Sequence, residues 1–309
     1  MTKKGSYHMR KLISTFLIIA LTLTTVNIYA ASKDETDIAG LLYELNIMKG
    51  DPDGNLRLDD YVTRAEFAKI AIMSSEYKNS VATNLTISPF KDVSFKHWAA
   101  PYIKLAVSNK FVTGYPDSSF RPEENVLYEE TVTIVLKLLG YTDADFGSSW
   151  PYGQVGLARN LELSENVTAD VGSNMTRRDV MHLIYNLLNT KPKSGSSNYI
   201  EKMNYSIAED VILIATAKED PSVGGDKVYT SNGTYKINNN FDYSLIGKKG
   251  DVVLKNTNEF VRFIPSTQTS KEYNIYQVLD NDIIVLENGS LTSLDIDTSL
   301  TVYNKSQKT

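Results

Sequence analysis

Gly50-Asp51-Pro52-Asp53-Gly54-Asn55-Leu56 runs into Val62-Thr63-Arg64-Ala65-Glu66-Phe67, and Gly114-Tyr115-Pro116-Asp117-Ser118-Ser119-Phe120 runs into Val126-Leu127-Tyr128-Glu129-Glu130-Thr131. An offset of 64 residues lays Gly50 on Gly114, Pro52 on Pro116, Asp53 on Asp117, Val62 on Val126, Glu66 on Glu130 and Ile70 on Ile134. One register held through turn, loop and helix marks an internal repeat. Each copy is too short to bury an apolar face alone, so neighbouring copies must complete the core.

Outward from that stretch, Ile38, Leu41, Leu42, Leu45, Ile47 and Met48 recur at helical spacing and stop at Gly50. Asp51 to Gly54 is turn chemistry. Thr63 and Glu66 stand at capping-box spacing, opening a second helix through Phe67, Ile70, Ala71 and Ile72. Repeat one thus covers 37–78, a polar connector follows, and repeat two covers 89–140. Its front half reads Pro89-Phe90-Lys91-Asp92-Val93, then His97-Trp98-Ala99 and a helical pattern of Tyr102, Ile103, Leu105 and Ala106. A degenerate third copy, 141–190, lays Trp150 on Trp98 at an offset of 52, and Met175-Thr176-Arg177-Arg178-Asp179-Val180 resembles the Thr63 segment. Its loop, 164–174, has lost the Gly-Tyr-Pro-Asp section.

Lys191-Pro192-Lys193-Ser194-Gly195-Ser196-Ser197-Asn198 reads as a linker, covering 191–199. Beyond it, over 200–309, the apolar period becomes two. Strands are expected at 211–217, 227–230, 234–237, 251–255, 260–264, 273–279, 283–286 and 300–303, with Asn232-Gly233 as a type I′ hairpin turn. The predicted fold class is multidomain: a mainly helical repeat bundle followed by a small all-β barrel or sandwich.

With 309 residues and 42% hydrophobic content, the chain can build two or three cores. Lys3, Lys4, Arg10 and Lys11, an apolar run from Leu12 to Val26 and small residues at Ala30-Ala31 predict a secretory signal peptide over 1–30, with a retained membrane anchor as the rival reading. Its removal leaves 28 basic and 37 acidic side chains, a formal charge of −9, which argues against nucleic acid as a partner. No cysteine is present, so disulfides and thiolate chemistry are excluded.

Asp51-Pro52-Asp53-Gly54-Asn55 imitates the start of a calcium loop but has Leu56 where glycine is needed and Val62 where a glutamate is needed. His97 and His182 lack a partner at zinc-ligand spacing. No phosphate loop or nucleophile elbow occurs, so neither metal, cofactor nor catalytic residues are expected, and the chain reads as a binding protein rather than an enzyme. Arg64 and Arg177 in the first turn of a helix oppose its dipole and call for an anionic partner. On residue types alone that partner is a nearby carboxylate of the same chain; the alternative is a ligand carboxylate bound by guanidinium and free helix-terminal amides. Trp98 and Trp150, the only tryptophans, read on their own as core residues.

Together, Gly114-Tyr115-Pro116-Asp117, Thr63-Arg64-Ala65-Glu66, Phe90-Lys91-Asp92 and Trp98 resemble the S-layer homology family, over about 37–189. That resemblance implies three repeats in a pseudo-threefold bundle whose grooves bind secondary cell-wall polysaccharide, often pyruvylated, on a Gram-positive wall. It also implies a cell-envelope location and ligand-facing roles for Arg64 and Arg177, with Asp92, Trp98, Gly114, Asp117 and Trp150 completing the polysaccharide site. Repeat two departs from the family pattern, with Leu127 and Tyr128 in place of Thr and Arg, and repeat one lacks the Phe-x-Asp and Trp section. Those losses sustain a second reading, in which degenerate repeats form a scaffold for envelope protein partners.

Overall fold

The computed structural model describes residues 35–51, 54–82, 84–266, 273–279, 282–287 and 289–295. The expected signal segment, Pro52 and Asp53 of the first turn, and the strand expected at 300–303 lie outside the described residues.

Among the described residues, six α-helices build the first part: α1 (Glu35–Glu44), α2 (Arg64–Met73), α3 (Ala100–Ser108), α4 (Tyr128–Leu138), α5 (Tyr152–Asn160) and α6 (Arg177–Asn189). The front helices α1, α3 and α5 stop identically. Asn46, Lys110 and Glu162 take left-handed φ values of 60, 61 and 60°. The next amide then folds back, Ile47 to the Leu42 carbonyl, Phe111 to Ala106 and Leu163 to Ala158, at 2.8, 2.9 and 2.9 Å. The same helix stop, at offsets of 64 and 52 residues, builds three equivalent units.

The back helices begin on caps. Thr63 accepts from the Glu66 amide at 3.2 Å while Glu66 accepts from the Thr63 amide at 2.8 Å. Thr176 and Asp179 do the same at 3.1 and 3.2 Å. Leu127 has no hydroxyl, so α4 keeps only the returning half, the Leu127 amide donating to Glu130 at 3.1 Å.

The residues just ahead of these caps close a ring. Val126 N–H donates to Val62 C=O, Met175 to Val126, and Val62 to Met175, at 2.9, 3.0 and 3.0 Å. One step on, Arg64 N–H donates to Glu124 C=O, Tyr128 to Ser173 and Arg177 to Asp60. Each back helix therefore has its first amide satisfied by the loop of another repeat. Beneath the ring Val62, Phe67, Val126, Leu136, Met175 and Leu183 are buried in one continuous core. Each such side chain contributes about 1.5–3 kcal/mol through burial.

Eight strands follow among the described residues: β1 (Tyr205–Thr216), β2 (Lys227–Thr230), β3 (Gly233–Lys236), β4 (Lys249–Lys255), β5 (Glu259–Pro265), β6 (Asn274–Val278), β7 (Asp282–Glu287) and β8 (Ser290–Asp295). The first five form a closed barrel in the order β1-β2-β3-β5-β4, with β3 and β5 meeting in parallel at Lys236 and Glu259. Strand β1 starts six residues before its expected beginning. A register shift between Ala208 and Val211, with Asp210 at a φ of 57°, breaks the period-two signal there. The turn joining β2 and β3 also differs from expectation: Thr230 pairs directly with Gly233, so the loop is Ser231-Asn232 and Gly233 carries the positive φ of 115°. Strand β8 was not anticipated. It pairs with β7 in a separate three-stranded sheet, β6-β7-β8.

Alternation along β4 explains how the barrel meets the helices. Val252 and Leu254 belong to the barrel interior, whereas Val253 belongs to the helical core. Ile264 of β5 joins it there, and Arg262 reaches Asp37 of α1 at 3.2 Å. The segment expected as a linker runs between them with Ser194 to Ser197 exposed, Pro192 buried and Tyr199 and Ile200 packed into the core.

Candidate functional site

The threefold arrangement places a groove at each junction between repeats. Two of them are built from equivalent residues. The first has a volume of about 260 Å³ and is lined by Arg64, Phe111, Val112, Thr113, Glu130, Lys137 and Trp150, among others. The second, about 370 Å³, is lined by Arg177, Ile47, Met48, Lys49, Glu66, Lys69, Trp98 and Tyr102. Each takes its arginine from one capped helix, its floor from the end of a front helix and its tryptophan from the start of another repeat. Arg64 therefore works with Trp150, and Arg177 with Trp98.

The first groove is electrostatically closed upon itself. Arg64 is 9% exposed, donates from Nε to the Phe120 carbonyl at 2.9 Å and pairs with Glu130 at 2.5 Å. Its guanidinium lies over the rings of Tyr115 and Phe120, 4.8 and 4.9 Å from their centroids. The intramolecular carboxylate anticipated from residue types is therefore Glu130. Lys137, the other cation of this groove, pairs with Asp143 at 3.4 Å.

The second groove has the opposite balance. Arg177 donates from Nε to the Leu56 carbonyl and from Nη2 to the Lys49 carbonyl, at 2.9 and 2.8 Å, and meets no carboxylate among the described residues. Glu66, the counterpart of Glu130, is committed to the Thr63 cap. Lys69 lies 6.0 Å from the ring centroids of both Trp98 and Tyr102. Three cations thus face one engaged carboxylate. A planar guanidinium held by backbone carbonyls beside an exposed indole offers charge-assisted hydrogen bonds and an apolar sugar platform together.

In the third junction Tyr128 occupies the arginine position. Its hydroxyl sits 2.7 Å from Ser164 Oγ, and Glu162, Glu165 and Asp170 stand around it with Arg159 as the one nearby cation. Arg159 pairs with Asp170 at 3.3 Å. This groove holds neither free cation nor tryptophan among its described residues.

Two expectations change here. Trp98 and Trp150 are not core residues: they are 50% and 57% exposed, Trp98 stacking on His97 at 5.7 Å. The amides at the starts of α2 and α6 are not free, because Arg64 and Arg177 donate theirs to Glu124 and Asp60, and Ala65 and Arg178 to Pro122 and Leu58. What these helix ends still present outward is the side chain.

Asp92, Gly114 and Asp117 shape the repeat-two loop. Asp92 accepts from the Phe120 and Arg121 amides at 2.9 and 2.7 Å; burial pushes its carboxyl up, but these amide bonds leave it below the usual range. Asp117 accepts from the hydroxyl and amide of Ser119, which with Lys91 hold its pKa down to about 2. Gly114 admits the Phe90 ring, since a Cβ there would lie 2.2 Å from it. Lys69, Tyr102 and Lys49 are groove residues that sequence reasoning missed. The offset of 64 aligns Lys69 with Thr133 and Lys49 with Thr113, but it cannot say which two repeats share a groove.

The S-layer homology domain model matches residues 36–68 and 89–132. The chain carries S-layer homology domains. Its similarity to surface proteins is consistent across species: 28% identity to a middle cell wall protein of Brevibacillus brevis over 58% of this chain and 18% of that protein, and 27% to a cell surface protein of Thermoanaerobacter kivui over 93% and 42%. A cellulosome-anchoring protein of Acetivibrio thermocellus is 33% identical over 31% of this chain and 22% of its own length. The chain therefore spans less than half the length of each of these relatives. The S-layer homology match ends at 132, yet residues 141–190 repeat the same helix stop, cap and ring closure. Among the described residues, no helix is long and apolar enough to cross a membrane.

Proposed function

We propose that this is a cell-envelope protein held non-covalently to a carboxylate-bearing secondary wall polysaccharide, with the Arg177–Trp98 groove as the principal binding site. The observation that carries this reading is the guanidinium of Arg177, positioned by two backbone carbonyls and without an intramolecular carboxylate among the described residues. Lys49 and Lys69 add to its field, and Trp98 supplies a face for a sugar ring. The names of the similar surface proteins support a place on the wall, and the family resemblance supports the polymer class, pyruvylation included. The protein acts in this reading by binding alone, not as an enzyme, and needs no cofactor.

The test is sedimentation of the purified protein with wall sacculi, before and after acid stripping of the secondary polymer. Binding confined to unstripped walls supports the proposal; equal binding to both defeats it. A second reading, attachment to envelope proteins, is favoured by one observation: Ile275, Tyr276 and Val278 of β6 are 60–68% exposed on a sheet edge. Loss of self-association or partner binding after Ile275→Lys and Val278→Lys, with wall binding intact, would assign the two activities to different parts of the chain.

A further inference from the structure

In repeat two the segment before the front helix is tucked into its own loop. Phe90 packs 5.4 Å from Phe120 and against Gly114, and two residues later Asp92 takes the amides of Phe120 and Arg121. Repeat one has the same loop. Gly50 and Leu56 stand where Gly114 and Phe120 do, and Arg57 shares the left-handed φ of Arg121, 51 against 59°. It has no Phe-x-Asp segment of its own. In the corresponding place lies a cavity of about 390 Å³, with Gly50, Gly54 and Leu56 on one side and Ala39 and Tyr43 of α1 on the other.

The two amides that Asp92 satisfies in repeat two have no carboxylate in repeat one among the described residues. The Leu56 amide has no acceptor among the described residues, and that of Arg57 donates only to the exposed Asn55 side chain, at 3.0 Å. The charged lining is mixed: Lys49, Arg177 and, from the barrel, Arg262 stand beside Glu44 and Asp51, and Arg262 pairs through Nη2 with Asp37 while its Nε is buried without a partner. An apolar socket beside the Leu56 amide, which has no acceptor among the described residues, and the weakly held Arg57 amide is complementary to an aromatic side chain followed by a carboxylate.

We infer that this socket receives an extended peptide of a partner protein, one that carries an aromatic residue and, two positions later, a carboxylate. The peptide seats by analogy with Phe90 and Asp92 of repeat two: the ring enters between Ala39 and Tyr43 of α1 and the loop of Gly54 and Leu56, and the carboxylate accepts from the Leu56 amide and takes over that of Arg57 from Asn55. The cavity adjoins the wall-polymer groove, sharing Met48, Lys49 and Arg177 with it, but its walls are α1 and the loop of Gly54 to Leu58, and this inference does not rest on the polysaccharide reading.

The probe is the chain's own sequence Ser88 to Ser94, synthesised as a fluorescent peptide and titrated into the full-length purified protein by anisotropy. Saturable binding is expected. It should weaken about tenfold or more when the peptide's Phe is Ala, and about three- to tenfold when its Asp is Asn. Ala39→Phe, which fills the socket from α1, should abolish binding with helical circular dichroism retained. Should that variant not fold, a benzophenone at the Phe position of the peptide gives the answer on the unaltered protein, through cross-links to Ala39, Tyr43 or residues 54–58. Cross-links elsewhere, or equal affinity of the Phe→Ala peptide, would overturn the inference.

Discussion

Replacing Arg64 and Arg177 one at a time should separate folding from binding, although the two side chains occupy equivalent positions. Arg64→Ala leaves Glu130, four-fifths buried, without its counter-charge and frees the Phe120 carbonyl. Breaking such a pair costs about 3 kcal/mol, the lower end of the range for buried pairs because Glu130 keeps some water. In a unit of this size that lowers the melting temperature by about 6–12 °C. Arg177→Ala removes two hydrogen bonds to carbonyls on a half-exposed side chain and should cost only about 1–2 kcal/mol of stability. Its loss is in binding: a charge-assisted pair with a ligand carboxylate contributes about 1.5–3 kcal/mol, or ten- to a hundredfold in affinity. Arg177→Lys should restore part of it, since an ammonium cannot make two parallel hydrogen bonds. Thermal melts and quantitative sacculus binding read the two effects. Wall affinity of Arg177→Ala within twofold of the parent would refute the assignment, and a melting temperature of Arg64→Ala unchanged within a degree would refute the buried-pair argument.

Gly114→Ala should destabilise the protein by about 1–3 kcal/mol in urea, because its Cβ meets the Phe90 ring at 2.2 Å and the Ser119 carbonyl at 2.9 Å. Asp117 has a folded pKa lowered from 3.8 to about 2, so the stability it confers is present above pH 4 and lost as pH falls toward 2; Asp117→Asn should flatten the acid limb of the urea midpoint over that window. Ile264→Ala should cost about 2–4 kcal/mol and lower the helical ellipticity transition, although the residue lies in the barrel, because its side chain sits in the helical core. Cleavage within the exposed Ser194–Ser197 stretch should leave the two fragments together on gel filtration; their separation would show that the Val253 and Ile264 contacts do not hold them.

What could be read from the chain in advance was whatever repeats or follows a local period. The capping boxes at Thr63 and Thr176, the front-helix patterns and most of β2 to β7 are local chemistry. Strand β1 was half hidden because its bulge at Asp210 breaks alternation, and β8 because Ser290, Thr292 and Ser293 dilute its apolar content. At the site, the arginines and tryptophans were legible as residue types. Their partnership was not, since Trp98 meets Arg177 only through ring closure over 79 positions of sequence. Nor could sequence show that Glu130 pairs with Arg64 while its equivalent Glu66 does not pair with Arg177, for both glutamates hold the same place in the repeat.

The triangle of hydrogen bonds among Val62, Val126 and Met175 has a bearing on what this architecture can lose. An open stack of repeats can be shortened or lengthened, because its end units face solvent. A closed ring has no end unit, and removing one member would leave one amide and one carbonyl with no partner. The member that carries Tyr128 in place of arginine can therefore give up its ligand contacts but not its place: it is kept as a keystone, whatever the other two grooves hold.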